Sequence, residues 1–120
     1  MKDKINVLGT EYHIEVRKIS EDNILKDNKY GGYCCDDEPR IIIADTDEKE
    51  YFEDYTEKEK RLYISKLLRH EIMHAFLNES GLQSAANACD GSWARNEEMV
   101  DWFAIQSPKI YKVFAELDIL

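Results

Sequence analysis

Two histidines and a glutamate within five consecutive residues are the feature of this sequence best suited to chemistry. His70, Glu71 and His74 form the pattern H-E-x-x-H. On a helix, residues four apart lie one turn apart on the same face, so both imidazoles can reach one zinc ion. Glu71 lies about 100° round the helix from His70, on the side of His74, where its carboxylate can take a proton from a zinc-bound water. The pattern therefore predicts a zinc site with His70 and His74 as ligands and Glu71 as the general base.

The competing interpretation is a chance match on a solvated helix. A random chain of this length would contain the pattern on the order of once in a few hundred sequences. The neighbouring residues favour burial instead, since Ile72, Ala75, Phe76 and Leu77 are apolar. Two histidines and a glutamate in a buried turn are costly without a metal or other partners, so the surroundings strengthen the zinc hypothesis.

A catalytic zinc ion has three protein ligands and one open position, so a third ligand must come from elsewhere. His13 falls on the polar side of a predicted strand and is interpreted as a surface residue. Glu97 is the favoured third ligand, because Asp101, four residues later, can accept a hydrogen bond from a ligand histidine. Glu98 competes for the role, but its neighbour one turn on is Trp102, which cannot accept such a bond.

Both motifs together carry a resemblance to a known group of enzymes. The segments His70-Glu71-x-x-His74 and Asn96-Glu97-x-x-x-Asp101 resemble those of gluzincin-type zinc peptidases, over about residues 62–105. Residues 101–104 and the small size also resemble the ImmA/IrrE metallopeptidases, which are often carried by phages and mobile elements. The resemblance implies a zincin-like peptidase that cleaves or antagonises a repressor. An SprT-like assignment fits less well, because no later histidine exists to act as third ligand.

No downstream tyrosine or histidine is an obvious match for the transition-state stabiliser of larger gluzincins. Tyr111 is one candidate, although it is interpreted as a core residue. Tyr33 and Arg95 are equally open.

The net charge of the chain limits which kinds of partner are expected. The formal net charge is −9, which repels phosphate backbones and excludes direct nucleic-acid binding from the expectations. A basic protein would be attracted, so a protein or peptide substrate is expected, with a basic DNA-binding regulator as one form of it.

The cysteines and the hydropathy of the sequence indicate which cellular compartment to expect. Three cysteines, of which Cys34 and Cys35 are adjacent and Cys89 is distant, give neither a disulfide framework nor a zinc-ligand spacing. They are interpreted as free thiols. No apolar run approaches the about 20 residues of a membrane span, and the N-terminus lacks a signal peptide. A cytoplasmic protein is predicted.

Hydrophobic patterns predict strands in the first half of the chain and helices in the second. The predicted strands are residues 5–8, 10–18 and 40–44, with Gly31-Gly32 as a turn or a close backbone approach. Thr56 and Glu59 predict a capping box for a helix from about 57 to 79, ended by Gly81. Two further helices are predicted, one capped by Ser92 and one restarted at Pro108.

These elements predict one α+β domain over residues 1–120, with a short antiparallel or mixed sheet packed on the H-E-x-x-H helix and two C-terminal helices. The strand at 40–44 is expected to offer an edge beside which an extended substrate can lie.

Two other functions remain open from the sequence. One is a binding module that retains zinc without cleaving its partner. The other is a zinc hydrolase of a non-peptide amide or ester. An intact Glu71 argues against a purely structural site, which needs no base.

Overall fold

The structure, a computed structural model, describes residues 2–29, 31–85 and 92–120. Four strands lie within these residues: β1 (Lys4–Val7), β2 (Thr10–Arg17), β3 (Gly32–Cys34) and β4 (Arg40–Ala44). The helices are α1 (Asn23–Asn28), α2 (Lys49–Phe52), α3 (Glu57–Glu79), α4 (Leu82–Ala85) and α5 (Glu97–Glu116). Short 3-10 turns occupy Ile19–Glu21 and Trp93–Arg95. The predicted α+β class is confirmed.

The four strands form one mixed sheet in the order β1-β2-β4-β3. β1 and β2 make an antiparallel hairpin, β2 and β4 are parallel, and β3 and β4 are antiparallel. β4 is therefore interior, and its residues 41–44 are buried. The prediction that this strand forms an edge is wrong, because β3 covers it.

β3 follows two glycines that let the backbone approach its neighbours closely. A Cβ on Gly31 would overlap the hydroxyl of Tyr63, and a Cβ on Gly32 would lie 2.8 Å from the carbonyl oxygen of Ile42. The predicted close approach is confirmed, but it begins a strand. Alternation cannot identify that strand, because it is only three residues long and begins with a glycine.

α3 begins and ends where its sequence predicts. The Thr56 side chain accepts from the Glu59 N–H at 3.1 Å, and the Glu59 carboxylate accepts from the Thr56 N–H at 3.3 Å. Gly81 follows the helix with φ of 84°. The helix end is tied to β2, since Glu79 accepts hydrogen bonds from the Tyr12 hydroxyl at 2.9 Å and the Thr10 hydroxyl at 2.7 Å.

One face of α3 packs on the sheet and fixes the orientation of the other faces. The buried cluster there consists of Val7, Tyr12, Ile14, Ile41, Ile43 and Ala75, against which Ile64, Leu67, Leu68 and Ile72 pack. Val16, which alternation assigns to the same face of its strand as Tyr12 and Ile14, is exposed.

α5 is one helix where two are predicted. Its cap is Asn96, whose side chain accepts from the Met99 N–H at 2.9 Å, and not Ser92, which precedes a 3-10 turn. The helix continues through Pro108. The spacing of Ile110, Val113, Phe114 and Leu117 predicts a core face for the last part of the helix, but Val113, Phe114 and Leu117 are exposed.

Two segments that are predicted to be loops, from acidic composition in one and from small and polar residues in the other, contain short helices. The acidic segment 45–54 contains α2, which buries Phe52, and the segment 82–93 contains α4. Cys89 lies outside the described residues. None of the helices in the described part of the chain combines the length and the apolar character that a membrane span requires.

Candidate metal centre

Packing of α3 against α5 sets the candidate site. Leu77 of α3 is buried with Val100 of α5 and with Ala94 just before it, and Met73 and Met99 pack on this cluster. His70 and His74 lie on the same side of α3 as Met73 and Leu77, by the helical repeat. Both histidines therefore face α5, whose first residue is Glu97.

Three candidate ligand side chains converge between the two helices. His70 Nε2 lies 3.1 Å from His74 Nε2 and 3.1 Å from Glu97 Oε2, and His74 Nε2 lies 2.9 Å from Glu97 Oε1. Atoms about 2.0–2.1 Å from a tetrahedral zinc ion lie roughly 3.3 Å apart. The observed separations are only a few tenths of an ångström shorter, so the three side chains fit around one such ion.

The orientation of both histidines suits a metal. His70 Nδ1 lies 2.9 Å from Asp101 Oδ1, which can accept a hydrogen bond from it, and Nε2 is the ring nitrogen that faces His74 and Glu97. Burial lowers the pKa of His74, although the Glu97 carboxylate opposes that effect. Both imidazoles direct Nε2 toward one point, and a neutral imidazole is the form that binds a metal.

Glu71 lies beside the cluster in a different environment. It is 4% exposed, and its Oε1 lies 3.9 Å from His70 Nε2. Burial, followed by the nearby carboxylates of Glu97 and Asp101, raises the pKa of Glu71 to about 8, against a hydrogen bond from the Cys34 backbone N–H. A carboxylate held this way is unfavourable without a cation, and a cation beside it would lower its pKa again.

A cleft of about 530 Å³ opens above these groups. One wall is the edge strand β3 and the other is α3, with α5 across one end. Lys29, Lys66 and Arg95 place positive charge along the walls of a protein that is otherwise strongly acidic.

Most site residues predicted from the sequence lie together. His70, Glu71, His74, Glu97 and Asp101 all line the cleft. Their roles toward a metal and a substrate stay predictions, and what the structure adds is that the three predicted ligands meet at one point.

Other predicted residues lie elsewhere. Glu98 is exposed and outside the ligand group, His13 is exposed beside Glu11, and Tyr111 is exposed where a core position is expected. Phe76, expected to be buried, is 40% exposed.

The remaining stabiliser candidates differ. The Tyr33 hydroxyl donates to Asp22 Oδ2 at 2.9 Å, so it is already engaged. Arg95 lines the cleft while its Nε donates to the Gln83 carbonyl at 3.1 Å, which leaves it a candidate.

Of the cysteines that the structure describes, Cys34 is the one that lines the cleft. Cys34 and Cys35 are free thiols, as predicted. Cys34 lines the cleft, and burial raises the pKa of its thiol to about 12, so it stays protonated. Sequence reasoning misses the proximity of its backbone N–H to Glu71, and the one signal that points toward it is Gly31-Gly32, which allows a close backbone approach.

Comparison with protein-family models, with curated proteins and with solved structures finds no significant match. The function is therefore inferred from the site itself.

Proposed function

We propose that this protein is a zinc-dependent metallohydrolase that cleaves a peptide bond in a protein or peptide substrate. The observation that carries the proposal is the convergence of His70, His74 and Glu97 at zinc-ligand spacing beside a buried glutamate. A structural site needs no such base, and zinc ligated by three protein groups keeps a position open for reaction.

His70, His74 and Glu97 would hold the ion, and Asp101 would orient His70. A zinc ion bound there supplies a polarised water whose pKa falls to about 7. Glu71 then acts as base: its carboxylate accepts a proton from water as the water oxygen attacks the scissile carbonyl carbon. Glu71 passes that proton to the leaving nitrogen as the C–N bond breaks, and is again a carboxylate.

The outer edge of β3 is the proposed place for the substrate backbone. Gly31 and Cys35 exchange hydrogen bonds with β4, so by antiparallel alternation Gly32 and Cys34 direct their backbone groups away from the sheet. The Cys34 backbone N–H lies close enough to Glu71 to lower the pKa of its carboxyl group. An extended peptide added beside Gly32 would run past the base and the ligand cluster, which favours a peptide over a compact metabolite.

A basic partner, such as a DNA-binding regulator, is part of the same proposal. The net charge of −9 would attract it at long range. The ImmA/IrrE resemblance of the two motifs favours the same kind of partner.

The test compares Glu71→Gln with His74→Ala, using a peptide library prepared by digesting a whole proteome and reading new termini by mass spectrometry. Zinc-loaded wild type should create a consistent set of new termini. Glu71→Gln should keep zinc and lose about 10²–10⁴-fold in rate, since it loses general-base catalysis. His74→Ala should lose both zinc and cleavage.

Two results would count against the proposal. A Glu71→Gln protein that cleaves at the wild-type rate removes Glu71 from the role of base. Zinc binding without any zinc-dependent cleavage by the wild type favours a binding module instead.

A further inference from the structure

Pro108 removes a hydrogen-bond donor from the middle of α5. In an α-helix the N–H of each residue bonds to the carbonyl four residues earlier, and proline has no N–H. The carbonyl left without that partner belongs to Ala104, which is fully buried. A buried carbonyl without a donor is costly, so a replacement is expected.

Arg69 of α3 supplies the replacement. Its Nε donates to the Ala104 carbonyl oxygen at 2.5 Å. The bond joins the two helices that carry the candidate ligands. It also explains how the helix tolerates a proline in its interior.

The Arg69–Ala104 bond lies at one end of a row of contacts between α3 and the segment that contains α5. Four contacts follow one another along the two helices. Arg69 contacts Ala104 and His70 contacts Asp101. His74 contacts Glu97, and Leu77 packs in the cluster with Ala94 and Val100. The apolar cluster holds one end of the row of ligands, and the Arg69–Ala104 bond holds the other. A slip of one residue in α5 would turn Glu97 by about 100° and aim it away from the histidines.

We propose that Arg69 is a positioning residue for the metal centre, with Pro108 keeping the Ala104 carbonyl available to it. The inference rests on the proposed zinc site. Arg69 acts through Glu97 and touches neither the ion nor the substrate.

The test replaces Arg69 by two neutral side chains of similar length, of which only one keeps a hydrogen-bond donor. In Arg69→Gln the amide nitrogen stands as many bonds from the backbone as Nε, so a donor is kept. In Arg69→Met a methyl group takes that position. Arg61→Met, an exposed arginine on the same helix, is the control.

Zinc affinity is measured with the metal alone, by competition with a coloured chelator. Arg69→Met should bind zinc about 10-fold more weakly, as for the loss of a partner that orients a ligand, while Arg69→Gln and Arg61→Met stay close to wild type. Equal losses in Arg69→Gln and Arg69→Met would overturn the role of the hydrogen bond.

A double-mutant cycle separates positioning from general destabilisation. If Arg69 acts through Glu97, Arg69→Met should cost no further zinc affinity in a Glu97→Ala background. The same loss in both backgrounds would overturn the inference.

Pro108→Ala tests the origin of the bond. It restores an N–H to the Ala104 carbonyl, so Arg69→Met should lower thermal stability less in that background than in wild type. An unchanged cost would contradict the role of Pro108, and this measurement needs no metal. Wild type that binds no zinc would overturn both the zinc site and the positioning role, whereas wild-type affinity in Arg69→Met would overturn the positioning role alone.

Discussion

Two polar clusters in this domain are built on opposite plans. In the first, the Asp22 cluster, the Asp22 carboxylate accepts hydrogen bonds from the Leu25 N–H at 3.0 Å, Arg17 Nη1 at 2.9 Å and the Tyr33 hydroxyl at 2.9 Å. In the second, the histidine cluster of His70, His74 and Glu97, ligand atoms that can donate electron pairs face one another.

The difference separates a structural network from a candidate reactive one. Burial alone would raise the pKa of Asp22, but the Leu25 N–H, Arg17 and Tyr33 together lower it, so the folded chain completes that cluster by itself. Burial, followed by the nearby carboxylates of Glu97 and Asp101, raises the pKa of Glu71, beside the histidine cluster, to about 8. A network whose charges are paired within the chain stabilises the fold, whereas a group of ligand atoms beside a buried carboxyl group is suited to holding a cation.

The largest expected effect is the loss of zinc affinity when one of the candidate ligands is removed. Glu97→Ala should weaken zinc binding by more than the about 10–100-fold typical of an outer partner, because it deletes one of three ligand atoms. Glu98→Ala is the matched control, since both glutamates occupy the first turn of α5 and share its dipole. Zinc titration of the two variants checks this, and equal loss in both would mean that neither contact seen at Glu97 holds the metal.

A second prediction concerns the Asp22 cluster. Asp22→Asn should lower the free energy of unfolding by about 2–3 kcal/mol at pH 7, since hydrogen bonds to a charged group contribute roughly 1.5–3 kcal/mol. Zinc affinity should not change. Asp27→Asn, which changes an exposed carboxylate on α1, the helix that Asp22 caps, is the control.

The same variant has a signed pH dependence. The folded pKa of Asp22 is lowered, so its stabilisation is present above the unfolded pKa of about 3.9 and is lost as pH falls toward the folded value. The stability gap between wild type and Asp22→Asn should therefore narrow in denaturant titrations below about pH 4. A gap that stays constant or widens there would contradict the structural role of the ionised carboxylate.

The smallest expected effect tests whether Asp101 belongs to the metal site formed by the histidine cluster. Asp101→Ala should cost about 10–100-fold in zinc affinity, because His70 loses the acceptor that fixes its tautomer. Glu116→Ala, an exposed carboxylate at the far end of the same helix, should have no effect. Zinc competition measures both, and an unchanged affinity in Asp101→Ala would place Asp101 outside the site.

Much of the site is predictable because its spacing is local. A helix brings residues four apart to one face whatever surrounds it, so the H-E-x-x-H spacing is enough to place His70 and His74 together. The Thr56–Glu59 capping box and Gly81 likewise set the ends of α3, because caps depend on neighbours three or four residues away. The preference for Glu97 over Glu98 uses the same periodicity on the second helix, and the structure brings Glu97 to both histidines.

Tertiary contacts decided the rest. Nothing local distinguishes an edge strand from an interior one, so the sequence misassigns β4, which β3 covers. The missing N–H of Pro108 predicts a helix break, yet α5 continues through it. The buried carbonyl of Ala104, which the proline leaves without a donor, accepts a hydrogen bond from Arg69, thirty-five residues earlier in the chain. The sequence by itself determined which residues share a face of a helix. Only the tertiary structure decided which faces meet, because the donors and acceptors that hold them together come from segments far apart in the chain.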